Sequence, residues 1–419
     1  MYNLNMKFKR TILKQVINIT KDYPITLVTG ARQVGKTTLV EYFKQHRKYN
    51  FISFDDDLLV EEAKRSPREF LNKYKPPLII DEVQKVQELF GEIVYRVNTV
   101  RREQNPDKAN GMYILTGSQK YALMRHAAES MAGRVGIIEM PPLSQAEINN
   151  WTEEPFDTDF GKMSNKANDR NLSDKDLFKS IIKGFYPERW RSSGKTQNYF
   201  RSYIETYIEK DVLTLVKIKD KQKFEKFLCY LASLTAQEYV VDNITKTFGI
   251  DIDTLKSWIS ILITGDIIRL VQPYYESSMT KSIVKRQRIY FNDTGLVCSL
   301  LGIDDLKLFN DSIYKGRIIE TYIHNEIRKS FLNNDIDIDR NTYYYRDNNQ
   351  NEIDLVILHN GGLYLIECKS TKKPGLNAIS NFKLFMKSRY TIKGQCVICL
   401  TDKPIQIGAG IFAFPIKCI

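Results

Sequence analysis

The chain has 419 residues, of which 42% are hydrophobic and 27% charged, and its 62 basic and 50 acidic side chains leave a formal net charge of +12. The length suits about two to four domains, and the apolar share excludes a wholly disordered chain. Apolar runs stay shorter than the ~18–20 residues of a membrane span, and the N-terminus has no apolar signal region. We therefore expect a cytoplasmic location and no membrane partner. The positive charge favours nucleic acid as a partner, with a basic soluble surface as the alternative.

The six cysteines and four histidines are scattered along the chain. Only Cys396 and Cys399 have C-x-x-C spacing, and they lie in the apolar run CVICL. This run contains no second cysteine pair and lies far from any histidine. We therefore interpret the two cysteines as buried strand thiols rather than as a metal or redox pair.

Short apolar strands alternate with helical stretches over residues 1–150, a pattern typical of a parallel sheet that is covered on both faces. The polar residues 152–176 are predicted to form an insertion or a flexible connection, and helical patterning resumes near Leu177. The strands predicted in the first segment are residues 25–29, 51–54, 77–80 and 112–115, and the predicted helix is residues 37–46.

Residues 30–37, GARQVGKT, fit the phosphate-loop pattern G-x-x-x-x-G-K-[ST] between a predicted strand and a predicted helix. Glycines let backbone N–H groups curl round a phosphate, and the positive end of the helix points at the same anion. Lys36 is predicted to reach the β and γ phosphates of ATP, and the Thr37 hydroxyl to bind Mg²⁺. The predicted nucleotide-binding residues are Gly30, Ala31, Arg32, Gln33, Val34, Gly35, Lys36, Thr37 and Thr38.

Two carboxylates, Asp81 and Glu82, follow the apolar strand of residues 77–80. Ligands of open α/β sheets bind at the carboxyl ends of the strands. Alone, this segment predicts only a strand that ends in surface carboxylates. Beside a phosphate loop, it predicts that Asp81 helps Thr37 to hold Mg²⁺ and that Glu82 activates the attacking water.

Two further residues are candidates for catalysis. Ser118, in TGSQ at the end of the fourth predicted strand, would position water or the γ-phosphate, and a simple strand-end turn is the alternative. Arg134, in MAGRV, would supply positive charge to the transition state, either within the subunit or across an interface of a homo-oligomer. A solvated loop arginine is the alternative there.

Together, the motifs GARQVGKT, LIIDEVQ, ILTGSQ and AGRVGIIEMPPLSQAE resemble a widespread bacterial and archaeal family of AAA-type ATPases. Its members join the ATPase to a C-terminal region of unknown function. The resemblance implies that Lys36, Thr37, Asp81 and Glu82 bind nucleotide and Mg²⁺ and drive hydrolysis, but it says little about the physiological substrate. It continues through GFYPE (184–188), YIETYIEKDV (203–212), RIYFNDTGL (288–296) and the tail of the chain.

The middle of the chain resembles a winged-helix domain in its order of predicted elements. The predicted helices are residues 224–234, 240–247 and 254–263, and the predicted strands are residues 267–271 and 288–291. The third helix offers only Lys256, Ser257 and Ser260 for a DNA groove, so a structural or interdomain role is the alternative. The basic residues between the strands, which would sit on DNA phosphates, are Lys281, Lys285, Arg286 and Arg288.

Four polar residues near the end of the chain suggest phosphodiester chemistry. Glu320 lies in a predicted helix, Asp354 in a strand, and Glu367 and Lys369 at the end of the next strand. Carboxylates that hold Mg²⁺ beside a lysine suit such hydrolysis, so we predict Glu320, Asp354 and Glu367 as metal ligands and Lys369 as the catalytic lysine. The pattern resembles the PD-(D/E)xK fold of restriction endonucleases, which also occurs in binding modules that do not cut.

The sequence thus predicts an α/β multidomain ATPase that uses ATP and Mg²⁺ and acts on DNA. The alternative is a nucleotide-dependent switch or scaffold whose nuclease-like domain binds a protein partner without cutting. The predicted parts are a P-loop ATPase core with a parallel sheet (1–150), a polar connection and helical extension (151–223), a winged-helix-like domain (224–310) and an α/β nuclease-like domain resembling restriction endonucleases (311–419).

Overall fold

The computed structural model describes residues 8–118, 131–191, 196–207, 221–276 and 286–419. Contacts divide the chain into two compact units. The first comprises Met1–Glu153, Thr264–Asp266 and Leu332–Asp335, and the second comprises Glu154–Ile263, Ile267–Phe331 and Ile336–Ile419. Among the described residues, no helix is both long and apolar enough to cross a membrane.

Within the described residues, five parallel strands form the sheet of the first unit, in the spatial order β2-β3-β4-β1-β5. Three of them, β1, β3 and β4, are buried along their whole length, as a sheet covered on both faces requires. The edge strand β5 is an addition to the four predicted ones. The strands are β1 (Ile25–Thr29), β2 (Asn50–Ser53), β3 (Leu78–Asp81), β4 (Tyr113–Thr116) and β5 (Val135–Glu139).

Helices cover this sheet with apolar side chains at helical spacing. The longest of them, α5, buries Leu89, Phe90, Ile93 and Val97, which share one face of the helix. The α-helices of the first unit are α1 (Leu13–Asp22), α2 (Lys36–His46), α3 (Asp57–Arg65), α4 (Pro67–Lys73), α5 (Leu89–Glu103) and α6 (Gln145–Asn149).

A buried arginine, Arg10, ties the phosphate loop to the rest of the first unit. Its side chain donates to Glu147 Oε1 at 3.0 Å, to the Val34 carbonyl at 2.9 Å and to the Pro141 carbonyl at 2.8 Å. Glu147 in turn accepts from the backbone N–H of Ser144 and completes a capping box at the start of α6. The loop after β1 is therefore braced by a charge pair that is shielded from water.

The second unit begins with helices where the sequence analysis predicts a flexible connection. The prediction is wrong for the second half of residues 152–176, because α7 and the start of α8 lie there. Asp159 accepts from the backbone N–H of Lys162 and caps α7. Met163 and Ala167, one turn apart, are buried, and the Phe160 ring packs on the Phe412 ring at 4.5 Å between centroids. A few well-spaced apolar residues thus suffice to dock this polar helix.

The α-helices of the second unit are α7 (Phe160–Asp169), α8 (Asp174–Lys183), α9 (Pro187–Arg191), α10 (Thr196–Tyr207), α11 (Lys221–Ser233), α12 (Val241–Phe248), α13 (Ile252–Thr264), α14 (Thr294–Leu300), α15 (Leu306–Asp311) and α16 (Lys315–Leu332). The predicted helices of the middle segment correspond to α11, α12 and α13. Aromatic rings join them, with Trp258 packing against Phe224 and Phe227. A 3₁₀ helix, Phe382–Lys387, lies in the chain between the last two of the predicted nuclease-like segment's central strands.

Nine strands, counted over the described residues, form one sheet in the second unit, in the order β13-β14-β12-β11-β10-β9-β7-β8-β6. Cys396 and Cys399 are buried in β12, as predicted. The strands are β6 (Gln237–Glu238), β7 (Ile268–Pro273), β8 (Arg288–Phe291), β9 (Thr342–Arg346), β10 (Glu352–His359), β11 (Gly362–Lys369), β12 (Thr391–Cys399), β13 (Ile405–Gly408) and β14 (Ile411–Pro415).

The strand β7 connects the middle segment to the tail. It pairs antiparallel with β8 and parallel with β9, where Gln272 faces Tyr343 and Pro273 faces Tyr344. The hairpin that the sequence analysis assigns to a winged helix therefore continues into the sheet of the predicted nuclease-like segment. Its two strands have sheet partners on both sides, because β6 pairs with β8.

The brace at Arg10 predicts a large stability effect. The side chains of Arg10 and Glu147 are only 4% and 1% exposed, so Arg10→Met leaves an unpaired buried carboxylate. We expect a loss of about 3–5 kcal/mol in the free energy of unfolding, measured by urea denaturation of the full chain. The exposed pair Lys73–Glu62 provides the control, and Lys73→Met should shift the midpoint far less. Equal effects of the two substitutions would contradict a bracing role for Arg10.

Candidate nucleotide site and carboxylate cluster

The phosphate loop follows β1 and ends at the first residue of α2. Gly30 has φ +144°, and a Cβ there would lie 2.3 Å from the Met140 carbonyl oxygen, so only glycine fits. Gly35 precedes the helix with φ +95°, and no side chain caps it. The first backbone N–H groups of α2 are therefore left without side-chain acceptors at the end of the helix that attracts anions.

Lys36 is buried and folds back over the loop that carries it. Its ammonium donates to the carbonyls of Gly30 at 3.0 Å and Ala31 at 2.8 Å. Burial lowers the pKa of Lys36 to about 8, although the nearby charges of Glu82 and Asp81 act in the opposite direction. The binding of a triphosphate would exchange these carbonyl acceptors for phosphate oxygens.

Asp81 lies at the carboxyl end of β3 and is completely buried. Its Oδ2 accepts from the Thr37 hydroxyl at 3.0 Å and from the Ser53 hydroxyl at 3.4 Å, and its Oδ1 accepts from the Thr116 hydroxyl. Ser53 is opposite Asp81 in the register of β2 and β3. The structure thus brings Thr37 and Asp81 together, and it adds two hydroxyls that the sequence analysis did not select.

Glu82 follows Asp81 with φ +54°, an uncommon backbone conformation for a residue with a side chain. Its N–H donates to Thr116 Oγ1 at 3.3 Å, and its Oε2 accepts from Gln84 Nε2. Thr116 therefore bonds to both residues of the acidic pair. This link could have been predicted, because strands that run parallel end at the same sheet edge and ILTGSQ ends in hydroxyl residues.

The two further catalytic candidates lie in different positions. Ser118 follows β4 at the same edge as Asp81, is buried, and within the described residues has no hydrogen-bond partner for its hydroxyl. Arg134 precedes β5, which runs parallel to β1 with Val135 opposite Ile25. Because β1 spans about 16 Å at ~3.3 Å per residue, Arg134 lies at the far edge of the sheet from the loop. It donates there to Asn98 Oδ1 at 2.6 Å and to the Ala132 carbonyl at 3.0 Å.

A role for Arg134 at the nucleotide of its own subunit is therefore wrong, because its side chain cannot span the sheet. A role in a neighbouring subunit stays a prediction. The last residue of the TGSQ motif, Gln119, lies outside the described residues.

The donor set fits both Mg²⁺ and ATP. A hydroxyl and a carboxylate within 3.0 Å of each other, Thr37 and Asp81, are the hard oxygen ligands that Mg²⁺ takes beside phosphate oxygens. Gly30 has no side chain to keep a phosphate chain away from the backbone, and the N–H groups at the uncapped start of α2 can bind its oxygens.

A second cluster of charged residues lies in the second unit. In the antiparallel strands β10 and β11, Leu355 is opposite Ile366; Asp354 immediately precedes Leu355 and Glu367 immediately follows Ile366, so the two carboxylates lie on neighbouring strands at the same level. Lys369 Nζ lies 2.7 Å from Glu367 Oε2 and 3.7 Å from Asp354 Oδ2. Glu320 on α16 accepts from the Tyr290 hydroxyl at 2.8 Å. The four residues predicted for this site are thus held in one region of the unit.

The cluster also contains Arg288, which the sequence analysis assigns to a basic wing. This assignment is wrong, because Arg288 is only 2% exposed and contacts carboxylates instead of solvent. Its guanidinium lies 3.4 Å from Glu320 Oε1 and 4.0 Å from Asp354 Oδ1, and it also pairs with Glu352. The Tyr344 ring lies 4.3 Å from it.

Burial and the Asp354 charge raise the pKa of Glu320 to about 8, against the lowering effect of Arg288. Burial also raises the pKa of Glu367. Burial lowers the pKa of Arg288, but the charges of Tyr290, Glu320 and Glu352 outweigh it and raise that pKa above its usual value. Burial thus disfavours the charged forms of the Glu320 and Glu367 carboxyl groups.

Residues 22–149 match the family model of an AAA domain. This part of the first unit is therefore similar to AAA-type P-loop domains. Residues 174–307 and 315–419 match two domains of unknown function, DUF8612 and DUF4143. The coarse part of the resemblance drawn from the motifs is therefore confirmed for the ATPase domain, and the nuclease-like assignment of the tail stays a prediction.

Full-length comparisons extend the similarity beyond the ATPase domain. Uncharacterised proteins of Mycobacterium tuberculosis and Mycobacterium bovis are each 26% identical over 361 residues, which cover 84% of this chain and 72% of the relative. The Walker-type ATPase of Pyrococcus abyssi has a TM-score of 0.43 and 13% identity, over 71% of this chain and 99% of that one. AMPPCP-bound DnaA from Aquifex aeolicus has a TM-score of 0.28 and 16% identity, over 60% and 85%. Similarities this distant leave the domain assignment to the sequence match and the phosphate-loop geometry.

The ATPase domain and the carboxylate cluster differ in how well they suit a metal ion. Among the described residues, no group of three or more Asp, Glu, His and Cys side chains is arranged to hold one. Glu320, Asp354 and Glu367 come together without forming such a group, and the guanidinium of Arg288, which the prediction did not include, lies among them. Sequence reasoning missed Arg288 because its neighbours Lys285 and Arg286 are basic and suggest an exposed segment.

The two hydrogen bonds of Thr116 predict a catalytic effect in the ATPase domain. Thr116→Val removes a donor to Asp81 and an acceptor for Glu82, without touching the phosphate loop. Because hydrogen bonds to charged groups contribute about 1.5–3 kcal/mol, we expect Mg²⁺-ATP turnover to fall about 10- to 100-fold while ATP affinity changes little. The control is Thr26→Val in β1, because the buried Thr26 hydroxyl has no hydrogen-bond partner among the described residues. Normal turnover of Thr116→Val would exclude Thr116 from the site.

Proposed function

We propose that the ATPase domain hydrolyses ATP with the help of Mg²⁺. The observation that carries this proposal is the 3.0 Å hydrogen bond between the Thr37 hydroxyl and Asp81 at the mouth of the phosphate loop. Thr37 and Asp81 would hold Mg²⁺, which supplies charge neutralisation for the phosphates when it is bound. The nucleotide itself would be cradled by the backbone of residues 30–37.

The residues of this chain divide the work of hydrolysis between them. Lys36 leaves the carbonyls of Gly30 and Ala31 to pair with the β and γ phosphates. Glu82 accepts a proton from the attacking water once its bond to Gln84 opens. Ser118, with its buried hydroxyl at the same sheet edge, orients the water or the γ-phosphate. Arg134 acts, if at all, on the nucleotide of another subunit in a homo-oligomer.

We further propose that the ATPase acts on DNA through the second unit. The net charge of +12 and the order of three helices and a hairpin support this proposal. On α13, Lys256 and Ser260 are exposed, while Ser257 is half-buried. Arg286 is exposed two residues before the hairpin's second strand, and Lys281 and Lys285 lie outside the described residues. Arg288 is withdrawn from this surface by its carboxylate partners.

A second candidate function is a nucleotide-dependent switch in which the tail binds DNA or a protein partner without cutting. The observation that favours it is the guanidinium of Arg288 among the carboxylates that a metal-dependent nuclease would need free. In this reading, the nuclease-like segment supplies a binding surface and ATP turnover sets its state.

Two substitutions separate binding from hydrolysis in the first unit. Lys36→Ala should remove most of the affinity for ATP, because it deletes the side-chain ammonium that we predict to pair with the β and γ phosphates. Glu82→Gln should bind ATP normally and hydrolyse it poorly, because an amide accepts no proton. Fluorescent-nucleotide titration and phosphate release measure the two effects. Unchanged ATP binding by Lys36→Ala would overturn the phosphate-loop assignment, and normal turnover by Glu82→Gln would place the base elsewhere.

Turnover of Mg²⁺-ATP with and without DNA, with the DNA followed on a gel, tests the action on DNA. We expect DNA to raise turnover and to remain intact, because the carboxylate cluster is already paired. Asp354→Ala is the control for cutting: cleavage that disappears in this variant would establish a coupled nuclease instead. Turnover that ignores DNA would contradict the DNA proposal and direct the search to a protein partner.

A further inference from the structure

Arg288 is the centre of an unusual concentration of buried charge. Its Nη1 faces Glu320 on α16 and Asp354 on β10, and its Nη2 pairs with Glu352 at the start of β10. Three carboxylates from two different elements thus converge on one guanidinium. An arginine can contact several carboxylates at once, because its guanidinium is planar, permanently charged and carries several N–H donors in a fixed geometry.

The strand that carries Arg288 holds it in this position. Residues two apart in a strand face the same side, so Arg288 and Tyr290 of β8 point together towards Glu320. The Tyr290 hydroxyl donates to the same Glu320 oxygen that Arg288 approaches. The Tyr344 ring of β9 covers the guanidinium. The cation is therefore fixed by sheet register, by a shared acceptor and by an aromatic face.

Asp354 has a cation on each side. Arg288 lies 4.0 Å from Oδ1, and Lys369 lies 3.7 Å from Oδ2, which also accepts from the backbone N–H of Cys368 at 2.8 Å. Both oxygens are thus engaged with positive groups of the chain itself. A divalent cation at Asp354 would compete for these oxygens and would be repelled by the guanidinium.

We infer that Arg288 takes the place of a metal ion in this carboxylate cluster, so that the native chain holds no divalent cation there. The cluster is a charge-compensated centre built from an arginine and carboxylates. Divalent cations gain access to Asp354 only when the guanidinium is removed. This inference concerns the second unit and depends on neither ATP hydrolysis nor DNA binding.

Manganese binding tests the inference, and the measurement is the decrease of the electron paramagnetic resonance signal of free Mn²⁺ as the ion binds. All proteins carry Asp81→Asn, which removes the carboxylate that we propose as the Mg²⁺ ligand of the nucleotide site. This parent should show no Mn²⁺ binding that depends on Asp354. Adding Arg288→Met should create one site at least about tenfold tighter than any in the parent, and adding Asp354→Asn as well should abolish it.

Arg346 provides a matched control. It contacts Glu352 at 3.8 Å and Glu238 at 3.1 Å, and within the described part of the chain it forms no ion pair with Glu320 or Asp354. Arg346→Met removes a neighbouring cation. If it increased Mn²⁺ binding as much as Arg288→Met does, the loss of one positive charge anywhere near the cluster would explain the effect, and the inference would be overturned. A gain confined to Arg288→Met supports it.

Loss of a buried cation costs stability, so thermal unfolding is followed in the same samples. Arg288→Met should melt below the parent in EDTA and recover part of the difference with Mn²⁺, whereas Arg346→Met should not recover. A folded Arg288→Met protein that gains no Mn²⁺ overturns the inference. If this variant does not fold, the comparison of the parent with its Asp354→Asn form still decides: an Asp354-dependent Mn²⁺ site in the parent overturns the inference, and equal binding supports it.

Discussion

The burial of a carboxylate at the end of a strand is the constraint on which both units depend. A carboxylate loses far more free energy on leaving water than a neutral side chain, so it must be supplied with donors or cations. The first unit surrounds Asp81 with hydroxyls from Thr37, Ser53 and Thr116. The second unit surrounds Asp354 with the cations of Arg288 and Lys369. Neutral donors leave the charge of Asp81 available to a metal ion, whereas cations consume the charge of Asp354.

The nucleotide site could be predicted from the sequence because most of its residues are close together in the chain. The phosphate loop is eight consecutive residues, and its geometry follows from Gly30, Gly35 and the helix that begins at Lys36. Asp81 can be predicted because the apolar strand before it ends at the same sheet edge as the phosphate loop. The position of Arg134 cannot, because it depends on the pairing of β5 with β1, which places Arg134 at the opposite edge.

The second unit could be predicted element by element but not in its assembly. The helices and strands around Glu320, Asp354 and Glu367 were anticipated, since their periodicity is local. The pairing of β7 with β9 was not, because a parallel contact between distant segments has no local pattern. The burial of Arg288 also depends on distant segments. Its charge suggests an exposed position, but Glu320 of α16 and Glu352 and Asp354 of β10 pack against it and make it a core residue. The polar helix α7 is hard to predict because few apolar side chains, among them Met163, Ala167 and Phe160, mark the face that packs.

The strand β8 joins the two functional ideas for the second unit. It is the second strand of the hairpin that would offer basic residues to DNA, and it carries Arg288 into the carboxylate cluster. Because Arg286 and Arg288 are two residues apart, any displacement of the hairpin that moves Arg286 along a phosphate backbone also moves the guanidinium among Glu320 and Asp354. A sheet in which the hairpin has partners on both sides resists that displacement, so the cluster keeps its internal cation as long as β8 stays in register with β6 and β7.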